Sequence, residues 1–260
     1  GLQHEPAMER EAPGTRQGFL AFLSGLPGNN LGRFVLFSVL TTFSVNLMGP
    51  VLPVYLLKSL GLDYFSYTVV TMVSMVLSFL AMGYWGPLTD RYGNRRILRV
   101  SSAMLFVFPL GWIISRSVPT MLAFQVLAGF VWAGVNLSTT NYLFDSVERP
   151  RMASTMANYN ALNNICAFAG SLSGGILATA VAGLDLPFLA PRNLEIIFAL
   201  SATLRLLVYL TLGKGFKEVR EVEPSPSVRA LYIYGPFIKV TDFLRALGAR
   251  DKDGGSSPGP

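Results

Sequence analysis

No charged residue occurs between Arg33 and Lys58, between Asp63 and Asp90, between Arg116 and Asp145, or between Arg151 and Asp185. A helix needs about 20 mostly apolar residues to cross the hydrocarbon core of a bilayer, and all four runs are longer than that. Only 14% of the 260 residues are charged and 51% are hydrophobic, whereas an ordinary soluble domain carries roughly 25% charged residues. The chain therefore reads as an integral membrane protein. Two shorter runs, Ile97–Ser115 and Leu194–Leu212, bring the expected spans to six, the others being Arg33–Leu57, Phe65–Leu88, Val118–Leu143 and Ala153–Ala182. None alternates as a barrel strand of about ten residues would, so the expected fold class is an all-α membrane protein, a bundle of six transmembrane helices.

Lysine and arginine placement orients the bundle, because cytoplasmic loops carry the excess of these cations. Six spans put both termini on one side. That side holds Arg10, Arg16, Arg33, Arg91, Arg95, Arg96, Arg99, Arg149, Arg151, Lys214, Lys217 and Arg220, and the other holds Lys58, Arg116 and Arg192. A multi-pass protein of the plasma (cytoplasmic) membrane with both termini cytoplasmic is expected. The net charge of +6 is then a topology signal and an attraction to anionic lipid, and no nucleic-acid partner is implied. Residues 1–32 read as a polar cytoplasmic leader, 33–212 as the six-helix domain, and 213–260 as a cytoplasmic tail. Within the tail, Phe237, Val240, Leu244 and Leu247 form a helical apolar stripe, so an amphipathic helix over 237–250 is expected to lie on the membrane surface. The single cysteine, Cys166, excludes an intrachain disulfide.

The connection after the second span reads Gly86-Pro-Leu-Thr-Asp90-Arg91-Tyr-Gly93-Asn-Arg95-Arg96. Gly83 and Gly86 allow a neighbouring helix to come close, Gly93 permits a tight turn, and Asp90 is an acid among arginines that can latch one helix packing against another. This stretch resembles the loop signature of the major facilitator superfamily: a glycine, three residues, Asp-Arg, one residue, Gly, one residue, and two basic residues. "DSVERPRMAST" resembles the connection between the fourth and fifth helices of a six-helix half, and "AGSLSGGILA" resembles its glycine-rich fifth helix. Many antiporters carry Gly-Pro in that fifth helix, where this chain has Ser171. "FVWAGVNLSTTNYLFD" is similar to the fourth helix of the C-terminal half in bacterial and archaeal members. The resemblance implies one half of a twelve-helix bundle, expected to be the C-terminal half, with residues 1–32 ending the linker between halves. It also implies a gating role for Gly86, Asp90, Arg91, Gly93, Arg95 and Arg96. The implied function is secondary active transport of a small solute by alternating access. The implied partners are a small-molecule substrate with or without a coupling ion, membrane lipid, and the missing N-terminal half. A non-transporting receptor or scaffold of the same fold and a half-transporter acting as a homodimer are the alternatives.

Polar groups at membrane depth are costly and often functional. Asn46 lies mid-span beside Gly49, Pro50 and Pro53, where the helix is expected to kink. Gln125, Asn136 and Asn141 lie in the fourth span, and Asn160 and Asn164, four apart, share a face of the fifth. These amides either line a substrate cavity or bond helix to helix. Arg205 interrupts the sixth span, at an insertion cost of roughly 2.5–3.5 kcal/mol. It either reaches the interface, pairs structurally, or meets substrate. The only histidine is His4, and no nucleophile–base set, metal-ligand cluster or phosphate loop occurs, so neither enzymatic activity nor a metal or other cofactor is expected. The topology is checked by a cysteine placed near Asn94 in a Cys166-free background. A membrane-impermeant thiol reagent added to intact cells is expected to leave it unlabelled, and labelling from outside would reverse the orientation.

Overall fold

The computed structural model describes residues 18–115, 117–182 and 193–222. In chain order these form α1 (Phe19–Gly25), α2 (Asn30–Asn46), α3 (Val51–Val54) running into one π-helical turn (Tyr55–Ser59), α4 (Tyr64–Tyr92), α5 (Asn94–Ser102), α6 (Val107–Ile114), α7 (Val118–Ser146), α8 (Arg149–Ala182) and α9 (Glu195–Leu212). They make six helical passes long and apolar enough to cross a membrane: Asn30–Ser59, Tyr64–Tyr92, Asn94–Ile114, Val118–Ser146, Arg149–Val181 and Glu195–Leu212. Part of the expected leader, residues 19–25, is helical and buries Phe22. The amphipathic helix expected over 237–250 lies outside the described residues.

Side chains close the helix starts. Asn29 accepts from the Gly32 N–H at the head of α2. Asp63 accepts from Phe65 N and Ser66 N at the head of α4, and bonds from the Ser66 side chain and backbone hold its carboxyl below the ordinary carboxylate range. Ser117 and Thr120 form a capping box for α7. Each satisfies amide donors that the first helical turn leaves open.

Two passes are broken, and prolines account for both breaks. Pro50 and Pro53 follow Gly49, and between α2 and α3 the chain tightens into short-range bonds, Gly49 N to Asn46 O (3.1 Å) and Val51 N to Met48 O (3.0 Å). In the third pass, Pro109 has no N–H to donate to the carbonyl four residues back. That carbonyl belongs to Leu105, in the turn between α5 and α6, and Arg205 of α9 takes it with a 2.9 Å bond from Nη1. The second span, expected to end at Leu88, runs four residues further as the last turn of α4. Helix continues through Asp90 to Tyr92 and stops at Gly93, whose φ of 87° suits glycine.

The main packing pairs are α4 with α7, α2 with α8, α5 with α7, α2 with α9, and α6 with α9. Glycines set the close approaches. Gly170 and Gly174 of α8 lie against the Phe43 carbonyl of α2 and the Leu47 carbonyl just past its end, and Gly134 of α7 lies against Trp85 and Ser101. Small residues of this kind let helix backbones meet where lipid gives no hydrophobic drive to association. A Cβ at Gly174 would run into the Leu47 carbonyl, whereas one at Gly175 meets nothing within 4 Å. Gly174→Ala is therefore expected to lower the unfolding free energy by about 1–3 kcal/mol through overpacking. Gly175→Ala is expected to be neutral or stabilising by up to ~1 kcal/mol through helix propensity. Denaturant titration in detergent micelles checks the contrast.

Candidate functional site

A cavity of about 230 Å³ opens between α2, α5, α7 and α8. Ser38, Thr42 and Asn46 project into it from α2 at spacings of four, so they form one helical stripe. Tyr159 and Asn163, also four apart, face them from α8, while Trp132, Asn136 and Thr139 come from α7 and Ser102 from α5. No charged side chain is among the lining residues. Two hydrogen bonds tie the walls: Ser38 Oγ with Tyr159 OH at 2.7 Å, and Thr42 Oγ1 to Asn163 Oδ1 at 2.7 Å. Asn46 turns its Nδ2 back to the Thr42 carbonyl at 2.9 Å. The Asn163 Nδ2 and the whole Asn136 amide make no hydrogen bond among the described residues. The wall thus offers amide donors and acceptors beside the aromatic faces of Trp132, Tyr159 and Phe37.

Of the candidates read from the sequence, Asn46 and Asn136 line this cavity. The other candidates lie elsewhere. Gln125 sits in the α4–α7 seam, its Nε2 donating to Val70 O at 3.0 Å and to Ser74 Oγ at 3.3 Å. Asn141 is half-buried beyond the lining, and Asn160 and Asn164 are exposed on α8. Arg205 is buried at 5% exposure against the Leu105 carbonyl, because the proline break leaves that oxygen without an intrahelical donor. Ser38, Thr42 and Tyr159 were readable: they recur at four-residue spacing with Asn46 and Asn163, a signal that a search for amides alone passes over.

The second constellation lies at the arginine-rich end, where the chain after α9 folds back onto the bundle. Phe216 is fully buried. Its ring packs against Phe34 (centroids 5.7 Å), Phe37 (5.5 Å) and Tyr142 (5.4 Å). The Lys217 carbonyl accepts from Tyr142 OH at 2.6 Å and from Asn30 Nδ2 at 3.0 Å. Glu218 Oε2 accepts from Arg95 N at 2.8 Å, and a Cβ at Gly93 would strike that carboxylate. Arg220 stands between Asp90 (3.7 Å) and Asp145 (3.8 Å), and Asp145 also accepts from Asn94 Nδ2 at 2.6 Å. Asp90 therefore pairs with a cation from the chain after α9, where the sequence suggested an arginine of its own motif. Arg91 lies over the Tyr92 ring at 5.4 Å.

A six-pass helical bundle with a polar, uncharged cavity among its helices and a charged cluster at one end is a polytopic membrane protein. The Major Facilitator Superfamily profile matches residues 34–246, and the chain belongs to that superfamily, whose members are transporters of small solutes. No curated protein and no solved structure matches the chain.

The charged cluster combines one buried ring with ion pairs whose side chains are 46% and 71% exposed for Arg220 and Asp90. Exposed pairs contribute about 0–1 kcal/mol, and truncating a buried phenylalanine costs about 3–5 kcal/mol. Phe216→Ala is expected to release the segment after α9 to limited proteolysis, and Arg220→Ala to leave its cleavage rate within a few-fold of the parent.

Proposed function

We propose that the chain is one six-helix half of a secondary active transporter, that it carries a small neutral polar solute by alternating access, and that the cavity between α2, α7 and α8 is its half of the solute path. The observation that carries the reading is the uncharged, hydrogen-bonding lining of that cavity within helices that are otherwise apolar. An unsatisfied polar group facing hydrocarbon costs several kcal/mol, so a set of amides and hydroxyls converging on one space is retained for water or solute. The break between α2 and α3 lies directly beyond Asn46, which is where transporters interrupt helices to bind cargo.

The missing half completes the path. Only 11% of the apolar windows of α4 and α8 is buried, against 33–56% in the other four passes. Asn160 and Asn164 stand on the exposed side of α8, and Asn136 is exposed beside Ser74 and Ser78 of α4. Amides and serines on such a face suit a second six-helix unit better than lipid. The charged cluster belongs to the cytoplasmic side and favours one arrangement of the helix ends, with Gly86, Asp90, Arg91, Gly93, Arg95 and Arg96 as its gating motif.

The test uses the full-length protein in detergent and a panel of uncharged polyols, sugars and amides, read by thermal unfolding. At least one solute class is expected to raise Tm. One at 100 times its Kd stabilises by about 2.7 kcal/mol, and the shift is expected to disappear in Thr42→Val and Asn163→Leu while persisting in Asn141→Ala. Stabilisation by organic anions or cations alone would refute the neutral-solute assignment.

A further inference from the structure

A second cavity, of about 460 Å³, lies between α5, the turn that follows it and α9. Arg95, Arg96 and Arg99 line one part of it, and Val100, Ala103, Met104 and Tyr209 line the rest. The order along the chain separates the two parts. The three arginines occupy the first turns of α5, and the apolar residues follow toward and into the α5–α6 turn, with Tyr209 contributed by α9. The charged end therefore faces the arginine-rich surface and the apolar end faces the bilayer interior. The Nε–H groups of Arg95 and Arg99 are buried and meet no acceptor among the described residues.

We infer that this cavity binds an anionic phospholipid, with the phosphodiester on Arg95, Arg96 and Arg99 and the start of the acyl chains along Val100, Ala103, Met104 and Tyr209. Guanidinium groups offer phosphate oxygens paired N–H donors, which supplies the missing acceptors. The apolar end is what separates a lipid from a soluble phosphate, since a free anion leaves that surface unfilled. Elsewhere on α9, Leu207 is 51% and Leu210 60% exposed, as a lipid-facing helix requires. The site shares no lining residue with the solute cavity.

Native mass spectrometry of the full-length protein tests it, with phosphatidylglycerol and phosphatidylcholine of identical chains as probes and glycerol 3-phosphate as the soluble competitor. Phosphatidylglycerol is expected to bind at least about fivefold tighter than phosphatidylcholine, the ratio that one arginine contributes near an anionic lipid surface. Arg99→Gln is expected to remove most of that preference, and Ala103→Trp, which fills the apolar end, to weaken phosphatidylglycerol binding with every arginine in place. Arg96→Gln serves as the second charge variant if Arg99→Gln unfolds. Equal retention of the two lipids, an unchanged preference in a folded arginine variant, or displacement of phosphatidylglycerol by equimolar glycerol 3-phosphate would overturn the proposal.

Discussion

Inside a bilayer there is no water to complete a broken helix, so every backbone N–H and C=O must find its partner within the protein. The third pass meets this constraint at Pro109, which cannot serve the Leu105 carbonyl, and the protein answers with Arg205 from the neighbouring helix. A guanidinium is expensive at that depth. Its position is fixed by what it bonds, and it holds α9 against the α5–α6 turn where the two halves of the pass meet. The first pass solves the same problem locally, with short-range backbone bonds between Asn46 and Val51 and the Asn46 amide folded onto the Thr42 carbonyl. That break sits at the end of the polar stripe on α2, so the irregular backbone adjoins the cavity it helps to shape.

Four of the six passes were legible from charge gaps and two, which carry Arg99 and Arg205, from shorter apolar runs, because an ionised side chain is tolerated at a helix end and penalised along its length. Their ends were less legible. The second span was expected to end at Leu88, yet α4 carries on to Tyr92 with Pro87 inside it, since a single proline near a helix end removes one bond and the following residues still pack. The return of the chain after α9 left little trace, because one phenylalanine and a few charges in a polar tail look like linker until the aromatic pocket of Phe34, Phe37 and Tyr142 is assembled around Phe216. For the site, Asn46 and Asn136 stood out by polarity. Gln125 and Arg205 stood out equally and serve helix contacts, because sequence shows that a polar group is buried but not which acceptor lies across the seam. Register in four-residue steps carries that information, as the stripes Ser38–Thr42–Asn46 and Tyr159–Asn163 demonstrate.

The two ends of the bundle divide the work. At the arginine-rich end, Phe216 anchors a segment whose charges bridge α4, α5 and α7, so helices that contribute to the cavity wall are joined to the end of α9. Toward the other end, a second apolar cluster holds α3, α6 and α9 together around Tyr55, Trp112 and Phe198, and Tyr55 OH donates to the buried Glu195 carboxylate at 3.2 Å. The polar space lies among these packed regions, with α2 and α8 joined across it by two side-chain hydrogen bonds. Such bonds in membrane proteins contribute about 0.6 kcal/mol on average, weak enough to exchange for bonds to a solute while the glycine-mediated contacts at Gly170 and Gly174 keep the helices in register.

The central claim is that this space is a wetted path and not a sealed seam. Thiol accessibility in the full-length, Cys166-free protein measures it most directly, comparing Thr42→Cys in the cavity with Gln125→Cys in the α4–α7 seam. A small hydrophilic methanethiosulfonate is expected to modify Thr42→Cys at a rate well above that of Gln125→Cys. Equal, negligible modification of the two folded variants would contradict the account.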